Sequence, residues 1–142
     1  MISINKTVLL GYVGAEPEVR FNSTTNSKLI VISVATKQTY KDKSSEKYID
    51  KTEWHDVSIF KPNLISLIEG RLKKGDYIYV EGSLSKVSWN DKMGNEKVAV
   101  QIQIREPNHD LKFWRQKSES KESLEENNKK TPAKKVIKKK VK

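Results

Sequence analysis

Cysteine is absent from the 142-residue chain. Its absence excludes disulfides, thiolate nucleophiles and cysteine-based zinc sites, and it fits a reducing compartment. Histidine is nearly as scarce, at His55 and His109 alone. The acidic neighbours of His55 are Glu53 on its own strand face and Asp56 on the other, too few convergent ligands for a metal. His55 therefore reads as a buried or interfacial hydrogen-bonding residue. Glu16 and Glu18 flank Pro17 in a turn with no general-acid partner in view. The GYVG at 11–14 is too short for a phosphate loop and lacks the following Gly-Lys-Ser/Thr. No catalytic cluster emerges, so the chain is read as a non-enzyme without metal or cofactor. No apolar run approaches the roughly 18 residues of a membrane span. The N-terminal MISINKTVLLGYVG enters a strand-like pattern with no signal or transit segment. A soluble intracellular setting is expected.

What the chain does have is positive charge, and it is unevenly placed. The net charge is +10, which favours a polyanionic partner. Residues 1–114 hold 17 basic and 14 acidic residues, a net of +3, whereas residues 115–142 hold 11 and four, a net of +7. The tail thus carries most of the excess. From Ser118 it is Lys, Glu, Ser and Asn, with too little apolar surface to offset chain entropy, and disorder is expected there. The eight lysines of 129–142 read equally well as a solvated charge run and as added phosphate affinity.

The body alternates as strands. Lys6–Val13 is a short strand interrupted by Gly11, which suggests a bulge or sharp bend. Leu29–Thr36 (LIVISVAT) is β-branched and nearly all apolar, as suits a central strand. Lys37–Lys51 reads as a polar connection, and Thr52–Phe60 as the next strand. In Pro62–Lys74 the period changes: Leu64, Leu67, Ile68 and Leu72 fall at helical spacing, with Pro62 at the start and Gly75 as a stop. Tyr77–Trp89 returns to strand with Ile78, Val80 and Leu84 on one side. Asn90–Asn95 is a turn, and Lys97–Ile104 places Val98, Val100, Ile102 and Ile104 on one face. The order β-β-β-α-β-β, all-β with one helix, predicts a five-stranded Greek-key barrel of the OB type over residues 1–106. A disordered lysine-rich tail is expected over 107–142, although Leu111, Phe113 and Trp114 are able to pack back on the barrel.

The strand TEWHDVSIF carries the main functional signal. One face holds Glu53, His55, Val57 and Ile59, and its inner part looks core-facing. The other holds Trp54 and Phe60, about 20 Å apart at roughly 3.4 Å per residue, with polar residues between them. An isolated pair of that kind more often packs under a loop or at a subunit contact. These two keep other company: Tyr40 and Tyr48 lie in the preceding loop, and Trp89 ends the fourth strand. Lys41, Lys43, Lys47, Lys51, Lys61 and Lys86 are interleaved with them. Rings that stack on bases beside cations that follow phosphates are what a single-strand groove requires, and in OB folds the second and third strands with their flanking loops form that surface.

NKTVLLGYVGAEPEVRF at 5–21, TEWHDVSIF at 52–60 and RLKKGDYIYVEGSL at 71–84, followed by Trp89 and its hairpin, together resemble the bacterial-type single-stranded-DNA-binding proteins, from Asn5 to about Ile104. The resemblance implies a cytoplasmic, nucleoid-associated homotetramer around which single-stranded DNA wraps without sequence preference. By position it implies base stacking by Tyr40, Trp54, Phe60 and Trp89, with Tyr40 standing where relatives often carry Trp. It implies backbone contacts by Lys6, Lys43, Lys73, Lys74 and Lys86, and a subunit-interface role for His55. Two departures stand out. Asp56 is acidic where some relatives are basic, and the chain ends in KKKVK where the typical member ends in an acidic tip that recruits replication and repair enzymes. The leading expectation is coating of single-stranded DNA in replication, repair and recombination. The alternative is an OB-fold oligomerisation or adaptor unit that binds duplex DNA or RNA mainly through its basic tail.

Overall fold

A computed structural model describes residues 1–116 of the chain. The elements are β1 (Thr7–Val13), β2 (Glu18–Phe21), β3 (Lys28–Lys41), β4 (Tyr48–Ile59), α1 (Pro62–Ile68), β5 (Tyr77–Asn90), β6 (Glu96–Ile104) and β7 (Asp110–Trp114). β1, β3, β4, β6 and β5 are hydrogen-bonded in that order, and β1 also pairs with β5. The ring is therefore closed, giving the expected five-stranded barrel of the OB type. Within the barrel, closure leaves these strands no free edge.

Period-2 alternation selects the core. Ile30, Ile32 and Val34 of β3, Val57 and Ile59 of β4, Ile78 and Val80 of β5, and Ile102 and Ile104 of β6 all point inward and are buried. Each such side chain contributes roughly 1.5–3 kcal/mol relative to exposure. The register is antiparallel between β3 and β4, with Ile30 opposite Ile59 and Ile32 opposite Val57. Gly11 is a point of close approach between strands. A Cβ there would overlap the carbonyl oxygen of Ala35 and lie 3.0 Å from its carbonyl carbon. This is where β1, paired with β5 from Thr7 to Tyr12, first meets β3 at Tyr12 and Val13.

Several elements depart from the sequence expectation. The segment Lys37–Lys51 is not a loose connection: β3 and β4 run on as a two-stranded arm, paired from Thr36–Glu53 out to Lys41–Tyr48. Both faces of the arm are wet, so no apolar alternation marked it. It is held by cross-strand polar pairs, including Lys37 Nζ to an Asp50 carboxylate oxygen at 2.6 Å and Thr39 Oγ1 donating to Asp50 at 2.7 Å. β5 and β6 form a second arm, from Ser85–Gln101 to Asn90–Glu96. Because Val98 and Val100 belong to that arm they are 60% and 58% exposed, and Leu84 is exposed as well, although each shares a strand face with buried residues.

The helix is also shorter than expected. It ends at Ile68 with Glu69 as C-cap, because Gly70 adopts φ +74, the left-handed geometry that terminates helices. Leu64, Ile65 and Ile68 join the core, as does Leu72 from the turn beyond, while Leu67 faces solvent. The ordered sheet runs past the expected boundary at residue 106. β7 pairs with β5 from Tyr77–Trp114 to Glu81–Asp110, burying Leu111 and packing Phe113 against the core. β2 pairs with the start of β3. The expected tail from residue 117 onward lies outside the described residues. No helix among the described residues is long and apolar enough to cross a membrane.

Candidate nucleic-acid interface

The outer face of the barrel over β3 and β4 carries the alternate residues that the core does not take. Along β4 these are Trp54, Asp56 and Ser58, and Phe60 follows the strand directly. Ser58 is buried and donates to Gln101 Oε1 at 2.9 Å, tying this row to β6. Trp54 is 62% exposed, yet one edge of its indole is seated on backbone. A Cβ built on Gly14 would overlap Cζ3 and lie 2.9 and 3.0 Å from Cε3 and Cη2. Only a residue without a side chain lets the ring lie against the end of β1.

That same end of β1 holds a lysine turn. The Val13 N–H donates to Asp76 O at 2.9 Å, and the Gly75 N–H donates to Val13 O at 2.8 Å. Within the turn the Lys73 N–H donates to Asp76 Oδ2 at 2.9 Å, and the Lys74 N–H donates to Glu16 Oε1 at 3.3 Å. The backbone of Lys73 and Lys74 is thereby pinned beside the strand end that seats Trp54, and both side chains are exposed.

The other expected ring residues are distributed along this surface and the two arms. Tyr40 and Tyr48 are exposed on the β3–β4 arm, and Trp89 is half-exposed on the β5–β6 arm. Phe60 is half-buried with the Arg105 guanidinium 4.1 Å above its ring centroid, a residue that sequence reading did not single out. Between the arms, where β4 and β6 separate above Val57–Ile102, a cleft of 240 Å³ is lined by Trp54, His55, Asp56, Leu84, Val100 and Gln101 among others. His55 Nε2 shares a 2.8 Å hydrogen bond with Thr36 Oγ1. His109 Nδ1 accepts from the N–H groups of Arg105 and Glu106.

The cations divide into tied and free. Lys37 pairs with Asp50, and Lys51 with Glu53 at 2.9 Å. These contacts hold both carboxyls below their usual range, the hydrogen bond to the lysine being the largest cause in each case. Lys61 Nζ donates to the carbonyls of Pro107 and His109. Lys6 lies on a different wall, 3.6 Å from Glu81 on the β1–β5 side, and does not join the Trp54 row. Among the described residues Lys41, Lys43, Lys47, Lys73, Lys74 and Lys86 make no ion pair. These six lysines lie at the tip of the β3–β4 arm, on the β5–β6 arm and at the turn beside Trp54.

A second aromatic cluster, unsuspected from the sequence, lies on the β1–β5–β7 wall. Tyr12 and Tyr77 have ring centroids 4.5 Å apart, and Tyr77 stacks on Trp114 at 6.0 Å. Exposed Val8 and Leu10 continue this apolar surface along β1. Only the strand register shows it: Tyr12 and Trp114 both lie opposite Tyr77.

The sequence profile of the Single-strand binding protein family matches residues 4–124 of the chain. The chain is similar to the protein named single-stranded DNA-binding protein in Rickettsia typhi, with 39% identity over 109 residues covering 77% of this chain and 71% of that one. The protein of the same name in Rhizobium meliloti is 35% identical over 103 residues, covering 72% of this chain and 59% of that one. Among solved structures, the chain resembles Plasmodium falciparum SSB in complex with ssDNA. The TM-score is 0.72 and the identity 31%, over 80% of this chain and 97% of that one. A deletion variant of the single-stranded DNA binding protein from Thermus aquaticus shares the fold, with a TM-score of 0.61 at 21% identity, over 78% of this chain and 50% of that one.

Proposed function

The chain belongs to the single-strand binding protein family, and from that premise we propose that it binds single-stranded DNA without sequence preference, through stacked rings and lysines. The observation that carries this reading is Trp54: a large ring, 62% exposed, seated on a glycine backbone beside a lysine turn. An exposed indole held in one orientation loses little freedom when a base stacks on it, and each such stack is worth about 1–3 kcal/mol. Phe60 shares its face, while Tyr40 and Trp89 stand on the arms and extend the path. Lys43, Lys73, Lys74 and Lys86 neutralise phosphates with counterion release. Lys6 belongs to this set only if its pairing with Glu81 exchanges for a phosphate. A duplex offers no free base faces, so single strands are preferred. The role is non-catalytic: coating and protecting single strands in replication, repair and recombination, in the cytoplasm at the nucleoid.

The working form is a homotetramer. A tetramer with three two-fold axes needs two different isologous contacts, and two separate apolar patches support that requirement. One is the Tyr12–Tyr77–Trp114 wall with Val8 and Leu10. The other lies around His55, Leu84 and Val100 at the cleft, with exposed Val98 beyond it, and supports a subunit contact for His55.

The test is titration of the protein with oligo-dT and with duplex DNA, followed by tryptophan fluorescence at low and moderate salt. Strong quenching by oligo-dT that persists at moderate salt is expected. Equal, salt-labile binding to both DNAs with little quenching refutes the proposal.

A further inference from the structure

We infer that Arg105 contacts single-stranded DNA directly, forming with Phe60 a composite platform on which a base packs while the guanidinium edge takes a neighbouring phosphate. The inference rests on the single-strand reading above and adds a residue, and a trench, that the reading does not contain.

Four observations carry it. First, the guanidinium carbon lies 4.1 Å from the Phe60 centroid, well inside the roughly 6 Å range of a cation–π contact, so one ring face is already covered by a cation. Bases stack on guanidinium planes as they do on aromatic rings, and a guanidinium used in this way keeps donors at its edge. Second, the backbone that carries the pair is tied down. The Phe60 N–H donates to Ile104 O at 3.0 Å. The N–H groups of Arg105 and Glu106 donate to His109 Nδ1 at 3.0 and 3.1 Å, and Lys61 Nζ clamps the same turn through His109 O at 2.8 Å. A backbone fixed before binding reduces the entropy that binding must cost.

Third, space adjoins it on both flanks. A cavity of 350 Å³ between the β2–β3 turn and Arg105 is lined by Asn22, Thr25, Ser27 and Lys28 together with Phe60. A second of 400 Å³ continues past Phe60 toward Ser66 and Glu69 of α1 and its cap. Fourth, Arg105 is the cation in this trench with charge to spare. Lys28 donates to both carboxylate oxygens of Glu69, at 2.5 and 2.6 Å, whereas Arg105 has no carboxylate partner among the described residues.

The experiment uses the full chain and its Arg105→Ala, Arg105→Lys and Phe60→Ala variants, titrated with oligo-dT over a range of salt. Arg105→Ala is expected to weaken binding about tenfold, the scale of one base stack, since the contact with Phe60 is already made in the free protein. It should also flatten the plot of log K against log salt by about 0.7, the share of one phosphate on a single strand. Arg105→Lys should keep the parent slope but lose part of the affinity, because an ammonium has no plane to stack. The Arg105→Ala and Phe60→Ala effects should be non-additive, as for residues in contact. Parent-like affinity and slope in Arg105→Ala overturn the inference while leaving the single-strand reading intact. Weaker binding at an unchanged slope also overturns it, since Arg105 would then act only by holding Phe60. If the parent protein itself shows no preference for oligo-dT over duplex, the single-strand reading fails, and the inference with it.

Discussion

Gly14→Ala is the most direct test of how Trp54 is held. An alanine Cβ at this position would lie 2.9 Å from Cε3 and 3.0 Å from Cη2, and closer still to Cζ3, against an ordinary contact of 3.4–4 Å. The indole must therefore withdraw by about 0.5 Å at its flanking atoms and by more at Cζ3 before any contact becomes acceptable. The backbone at Gly14 is not in the left-handed region, so alanine itself is unstrained there. Since Trp54 already faces solvent, the displaced ring swings outward rather than into the core. Stability should then change by no more than about 0.5 kcal/mol, as for surface substitutions. The ring loses its seat, and part of one stacking contribution goes with it: a loss near 1 kcal/mol, about fivefold in affinity, below the full ~1–3 kcal/mol of Trp54→Ala. Fluorine NMR of fluorotryptophan-labelled protein resolves Trp54 from Trp89 and Trp114, and an oligo-dT titration gives the affinity. A shifted and broadened Trp54 resonance with weakened binding and an unchanged melting temperature is expected. A parent-like resonance and affinity would refute the seating argument. A fall of many degrees in melting temperature would refute it as well, because the effect would then pass through the fold.

Two further outcomes follow from the same geometry. The Asp42 carboxyl at the tip of the β3–β4 arm accepts from the hydroxyls of Ser45 and Ser44, which with backbone N–H groups hold its pKa down from 3.8 to about 2. A depressed carboxyl pKa means that its stabilising effect is fully present above 3.8 and disappears as pH falls from there through about 2. Carbon-13 titration should place the midpoint near that low value, and Ser45→Ala should raise it; a parent midpoint in the variant would show that the hydroxyl is not the cause. Tyr12→Glu puts a charge into the Tyr12–Tyr77–Trp114 wall, and sedimentation velocity should show a smaller species than the parent at equal concentration. An unchanged assembly would remove that wall from the proposed subunit contacts.

The sequence by itself determined the core and the strand faces. Leu29–Thr36 is β-branched and nearly all apolar, as a central strand requires, and Val57 and Ile59 fall on one face of the next strand. Pro62 and the apolar spacing behind it placed the helix, and the alternation of TEWHDVSIF put Trp54 on the outer side. The β3–β4 arm was illegible because its residues are solvated on both faces: nothing periodic distinguishes Lys37–Lys51 from a loop. Its pairing is instead set by strands already in register inside the barrel. β7 was only partly legible, since five residues with one fully buried side chain, Leu111, give too short a pattern.

Tertiary structure alone decided the contacts between residues far apart in the chain. Gly14 lies under Trp54, Arg105 over Phe60, and Tyr12 and Trp114 both against Tyr77. Each of these depends on barrel closure and strand register. Periodicity fixes which way a side chain points, but it carries no information about which distant backbone arrives beneath it.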